Sequence, residues 1–153
     1  MPATFFLLRH GEAEKFSHDK KDAQRNLTEN GQMDIQQQGK FLQQLHPDAV
    51  RIYHSPFIRA IQTARILQNH LEGVLIENPE LEPAGNVVRA VMPLVGLEGS
   101  FVLVSHLPLI ADLTHYLTGQ NVRFYPGTLA RIDKPDEFKQ RGMLTWVRHP
   151  ISE

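Results

Sequence analysis

Hydrophobic residues occur in two kinds of run along this chain, short continuous blocks and longer stretches with helical spacing. Residues 4–9 are apolar almost without break until Arg9, as in a strand covered on both faces. A polar, irregular stretch over 11–26 reads as a loop. Thr28 is placed to cap a helix that runs to about Leu45, with Ile35, Leu42 and Leu45 on one side and Gly31 and Gly39 weakening it. Residues 50–53 predict a second strand. Ser55 then offers an N-cap and Pro56 a first helical position. Phe57, Ile61, Ala64, Leu67 and Leu71 follow at helical spacing toward a stop at Gly73, with Phe57 to Leu67 as core positions.

Val74 to Ile76 predicts a short strand, and NPELEPAGN a loop bounded by proline and glycine. A helix is expected over 87–97 despite Pro93. Phe101 to Val104 is the cleanest strand, and after SHLP the stretch LIADLTHYLTG has helical periodicity with a glycine stop. Leu129 to Ile132 and Leu144 to Val147 predict two strands joined by a polar turn. Strands alternating with helices imply an α/β fold with a mostly parallel sheet, made mixed if the terminal pair is a hairpin. Such sheets bind ligands beyond the carboxyl ends of their strands. Arg9-His10, His54-Ser55 and Ser105-His106 each stand where a predicted strand ends.

A length of 153 residues suits one domain spanning 1–153. The net charge of −1 provides no global field for nucleic acid or an anionic membrane, so an anion site must be a local cluster of cations. The absence of cysteine removes disulfides, thiolate metal sites and cysteine nucleophiles, and fits a cytoplasmic protein. No run has the length of a membrane span, and the N-terminus lacks the basic start of a signal peptide.

Arg9, His10, Arg59 and His106 carry the chemistry. Arg59 falls about one turn into the predicted second helix, where its guanidinium can lie over the same rim. Two arginines and two histidines beside a helix N-terminus repel one another unless an anion sits among them. A tetrahedral phosphoryl group fits, because the guanidinium fork matches two phosphate oxygens at once. Neighbouring arginines disfavour imidazolium, and a neutral imidazole is a nucleophile toward phosphorus. His10, before a glycine, takes that role, while His106 donates to a non-bridging oxygen. Eight histidines raise the question of a metal, but no HExxH or carboxylate–histidine cluster has ligand spacing, so neither a metal nor a cofactor is expected.

The segments LLRHGEA, RNLTENG, SPFIRAIQTA, NPELEPAG and VLVSHLPLIADL, in this order, resemble the histidine phosphatase superfamily, and within it the short SixA-type phosphohistidine phosphatases. The likeness covers residues 4 to about 118. It implies an α/β/α sandwich, a phosphorylated His10, and Arg9, Arg59 and His106 as phosphate ligands, with Arg25 as a further arginine nearby. Many members of the superfamily use a carboxylic acid to protonate the leaving oxygen, and Glu80 and Glu82 are the candidates here. The resemblance implies a phosphohistidine-bearing protein as partner, with a small phosphorylated molecule as the alternative substrate.

Overall fold

Along the first strand, Phe5 and Leu7 enter one hydrophobic cluster while Phe6 and Leu8 enter another. Successive side chains of a strand point to opposite faces, so this run can only be satisfied by cover on both. A computed structural model describes residues 3–47, 50–134 and 141–151 and shows that cover. Six strands are described: β1 (Ala3–Arg9), β2 (Arg51–His54), β3 (Val74–Glu77), β4 (Gly99–Ser105), β5 (Leu129–Lys134) and β6 (Met143–Arg148). They form one sheet in the order β3-β2-β4-β1-β5-β6. β1, β2, β3 and β4 pair in parallel, whereas β5 runs antiparallel to both β1 and β6.

Helices α1 (Glu29–Gln44) and α2 (Ile58–Leu71) supply Ile35, Leu42, Ala60, Ala64 and Leu67 to the cluster holding Phe6, Leu8, Val102 and Val104. Helices α3 (Val87–Val91) and α4 (Leu109–Thr118) supply Ala90, Val91, Ile110, Leu113 and Leu117 to the cluster holding Phe5, Leu7, Phe101 and Leu103. The architecture is therefore a three-layer α/β/α sandwich on a mixed sheet, as expected. Thr28 caps α1, its side chain accepting from the Gly31 N–H at 2.9 Å.

Several local expectations change. Gly31 and Gly39, whatever their local cost to α1, permit its close packing. A Cβ on Gly31 would stand 2.2 Å from the Glu12 carbonyl oxygen, and one on Gly39 2.4 Å from the His70 ring. Leu45 lies beyond the helix and is exposed. Ser55 is not the N-cap of α2, which starts at Ile58 with Phe57 at the cap position, and Glu72 rather than Gly73 takes the left-handed stop (φ 53). Phe57 and Ile61 are only half-buried and lie outside both clusters. The helix expected over 87–97 ends at Val91 and tightens into a 3₁₀ turn over Met92–Leu94, where Pro93 has no N–H to continue an α ladder. The polar turn expected between β5 and β6 lies outside the described residues. Among the described residues, no helix is long and apolar enough to cross a membrane.

Candidate active site

β4 inserts between β1 and β2, which aligns three strand ends. Arg9 stands opposite Ser105, and His54 opposite Val104. A cleft of about 370 Å³ opens beyond these ends, and Arg9, His10, Arg25, Arg59 and His106 all line it. The structure thus brings together all five residues named as phosphate ligands or nucleophile from the sequence. Glu80 and Glu82 do not line it; Pro83 of the same loop does. The Glu80 carboxylate accepts from the Asn86 backbone N–H at 3.0 Å and so braces its own loop.

The backbone around His10 is tied from three directions. Its N–H donates to the Ser105 carbonyl at 3.1 Å, and the Gly127 N–H donates to the His10 carbonyl at 2.9 Å. The Gly11 N–H donates to the Thr63 hydroxyl oxygen at 3.2 Å. Gly11 itself permits the tight approach of α1, since a Cβ there would meet the Gly31 carbonyl oxygen at 2.8 Å. The ring is oriented equally firmly. A carbonyl can only accept, so the 2.7 Å contact between Nδ1 and the Gly11 carbonyl oxygen places the proton on Nδ1. Nε2 then carries the lone pair, and the Arg59 Nε–H points at it from 3.3 Å.

The His106 ring lies 4.9 Å from the His10 ring, centroid to centroid. Phe57 packs edge-on against His106 at 5.0 Å and lies 5.0 Å beneath the Arg59 guanidinium, so it supports two residues of the cleft instead of filling the core. Burial first, then Arg59, Arg9 and Arg25, push the His10 pKa down to about 3 against the opposing effect of the Gly11 hydrogen bond. Burial again leads for His106, followed by His10 and the same arginines, and takes it to about 2. Both rings are therefore neutral at ordinary pH.

This neutrality has a stability consequence. In the unfolded chain each ring takes its proton near 6.5, but in the folded protein only near 3 and 2. Between those values the unfolded state binds more protons, so stability rises with pH. The contribution is complete above about pH 6.5 and is lost as the pH falls toward 3, at up to about 1.4 kcal/mol per pH unit for each ring. The thermal midpoint should fall steeply from pH 6.5 to 4, and a His10→Gln/His106→Gln double variant should show a flatter dependence. An identical slope in that variant would contradict the account.

Asp22 was not legible as a site residue. Its carboxylate takes the Arg25 Nε–H at 2.9 Å and the Arg59 Nη2–H at 3.2 Å, while its backbone carbonyl takes Arg59 Nη1–H at 2.7 Å. Against the penalty of burial, Arg59 and then Arg25 hold the carboxyl below its ordinary value. The available clue was the need of two clustered arginines for a counter-ion, with Asp22 three residues before Arg25. The carboxylate orients the two guanidinium groups and also competes with an anionic guest. Asp22→Ala should therefore lower kcat about tenfold while inorganic phosphate inhibits as strongly or more strongly. Steady-state kinetics with phosphate as inhibitor checks both, and an unchanged kcat would refute the orienting role.

Two buried side-chain polar atoms have no protein partner among the described residues, Arg9 Nε and His106 Nδ1. Both belong to residues of this cleft. Buried polar groups are ordinarily hydrogen-bonded, so two orphans on residues of one cationic cleft set this place apart. Among the described residues no group of three or more His, Asp or Glu side chains is placed to hold a metal ion.

An α/β/α sandwich with Arg-His-Gly at the end of its first strand, facing a second arginine and a second histidine, defines the histidine phosphatases. The model of the histidine phosphatase superfamily (branch 1) matches residues 5–84, and the chain belongs to that family. More narrowly, it is 32% identical over 142 residues to a phosphohistidine phosphatase SixA homolog of Haemophilus influenzae, covering 83% of this chain and 85% of that one. It is 33% identical over 114 residues to phosphohistidine phosphatase SixA of Escherichia coli, covering 71% and 70% respectively. A solved structure of the protein histidine phosphatase SixA complexed with tungstate superposes with a TM-score of 0.87 at 27% identity, over 97% of this chain and 98% of that one.

Proposed function

We propose that this protein removes the phosphoryl group from phosphohistidine carried on another protein, through a phosphohistidine intermediate on His10. The observation that carries the reading is the pair of orphaned polar nitrogens beside an imidazole whose free nitrogen, Nε2, is fixed by the hydrogen bond of the other. The tungstate complex of the SixA relative supports it, since tungstate is a tetrahedral oxyanion like phosphate.

Arg9, Arg25, Arg59 and His106 bind the non-bridging oxygens. As the guest enters, the Arg59 Nε–H transfers its hydrogen bond from His10 Nε2 to an oxygen and frees the lone pair. Nε2 attacks phosphorus in line, the bond from phosphorus to the substrate nitrogen breaks, and its electron pair stays on the departing imidazole. Phosphoryl transfer depends on this positioning and charge stabilisation above all. In the second step water attacks phosphorus, the electron pair returns to His10 Nε2, and the proton of water leaves with phosphate or solvent. The clustered guanidinium groups provide the positive charge and would repel a divalent cation, so the activity is metal-independent.

The leaving group favours a phosphoramidate. An imidazole protonated at its far nitrogen departs neutral and needs no acid from the enzyme, whereas an alkoxide does. Neither Glu80 nor Glu82 lines the cleft, and Asp22 is tied to arginines. Glu12, whose carboxylate accepts from the Thr28 hydroxyl at 2.7 Å, is the other carboxyl of the cleft and the one a small phosphomonoester would have to use. The partner is then a phosphotransfer domain of a cytoplasmic relay, with no role for nucleic acid or membrane. Comparing kcat/KM on a phosphorylated histidine domain with a panel of sugar and nucleotide phosphates tests this. The protein substrate should win by orders of magnitude, and a higher kcat/KM on small esters would overturn the assignment.

A further inference from the structure

Ser55 has no exposed surface and stands between β2 and α2, where a helix cap was expected. Its hydroxyl instead has two partners. The Phe57 backbone N–H lies 3.1 Å from Oγ, and His106 Nε2 lies 2.8 Å from it. A backbone N–H can only donate, so Oγ accepts from Phe57. The single hydroxyl proton then has His106 Nε2 as its acceptor. If instead Nε2 carried a proton and donated to Oγ, the serine proton would be left without an acceptor at a fully buried site. His106 would also turn a lone pair on Nδ1 toward whatever anion the cleft holds.

We propose that Ser55 is a positioning residue that selects the Nδ1–H tautomer of His106 and thereby makes that ring a hydrogen-bond donor to the phosphoryl group. The orphaned Nδ1 is the independent sign: it is buried, unpartnered, and belongs to a ring lining the cleft. A doubly protonated ring would donate from both nitrogens and need no selection. The burial and cations that hold His106 neutral remove that route, so the position of one proton decides between donor and acceptor. His10 and His106 thus reach the same tautomer by different means. A carbonyl that can only accept fixes the first, and a buried hydroxyl proton with no other acceptor among the described residues fixes the second. Phe57 takes part through its backbone as well as its ring, since its N–H orients the serine.

The inference rests on the phosphatase reading for its purpose, but its core can be measured without turnover. Long-range ¹H–¹⁵N correlation spectra of the ¹⁵N-labelled protein, with and without inorganic phosphate at pH 7.5, report the tautomer of His106 directly. The expected result is a protonated Nδ1 and a lone pair on Nε2 in both samples. A protonated Nε2 in the wild-type protein overturns the proposal whether or not the enzyme is active. Ser55→Ala should shift His106 to Nε2–H or a mixture and lower kcat about ten- to a hundredfold. Spectra of the His10 ring should stay unchanged, which separates loss of the tautomer from general loosening. An unaltered His106 tautomer in that variant overturns the proposal too. If the variant does not fold, the wild-type spectrum still decides. The Nδ1–H tautomer in a protein without phosphatase activity would leave the serine's role standing and remove the phosphatase reading.

Discussion

His10→Ala should abolish turnover, by at least about 10⁴-fold in kcat, while the cleft should continue to bind phosphate. The imidazole lines the cleft and keeps its lone pair on Nε2, because its Nδ1 is committed to the Gly11 carbonyl. Arg9, Arg25, Arg59 and His106 remain in place, so the affinity for inorganic phosphate should change less than about tenfold. Quenched turnover of the wild-type enzyme should yield an acid-labile, base-stable phosphoryl adduct on His10, detectable by mass spectrometry and absent from the variant. Hydrolysis at near wild-type rate by His10→Ala would end the nucleophile assignment.

Arg59→Ala should cost about 10²- to 10³-fold in kcat/KM, corresponding to about 2.7–4 kcal/mol of barrier. Arg59 is 3% exposed, and its guanidinium is directed by both the backbone and the side chain of Asp22. Its Nε–H lies 3.3 Å from His10 Nε2. Lysine should recover little, because a point charge cannot span Asp22 and a phosphoryl oxygen as the planar fork does. The change also removes one of the charges that depress His10, so the pKa of that ring should rise toward its ordinary value. Kinetics of the alanine and lysine variants, with an NMR titration of His10, check both effects. A loss under fivefold would show that Arg59 is not a transition-state ligand.

Much of this was legible in the sequence because strand ends are legible. Continuous apolar blocks at Phe5–Leu8 and Phe101–Val104 mark buried parallel strands, and their polar successors necessarily fall at one edge of the sheet. Helix starts were harder to place. Ser55 and Pro56 have the chemistry of a cap, but the serine hydroxyl is engaged by a histidine distant in sequence, and the helix begins at Ile58. Asp22 and Ser55 act through contacts 37 and 51 residues away in sequence, and no periodicity encodes such pairs. The second use of the glycines of α1 was hidden for the same reason. Their cost to the helix is local, but the room they make for Glu12 and His70 is tertiary.

The segment beyond Thr118, read from the sequence as two strands and a turn, also clamps the first two residues of the cleft. The Phe124 carbonyl receives Arg9 Nη1–H at 2.9 Å, the Thr128 carbonyl receives the Arg9 N–H at 3.1 Å, and the Gly127 N–H closes on His10. A nascent polypeptide that had emerged only through His106 would carry Arg9, His10, Arg25, Arg59 and His106, yet lack the clamp that sets the first two. The placement of Arg9 and His10 thus depends on an antiparallel edge that is translated late, so the cleft should take its final form only when that edge docks against β1.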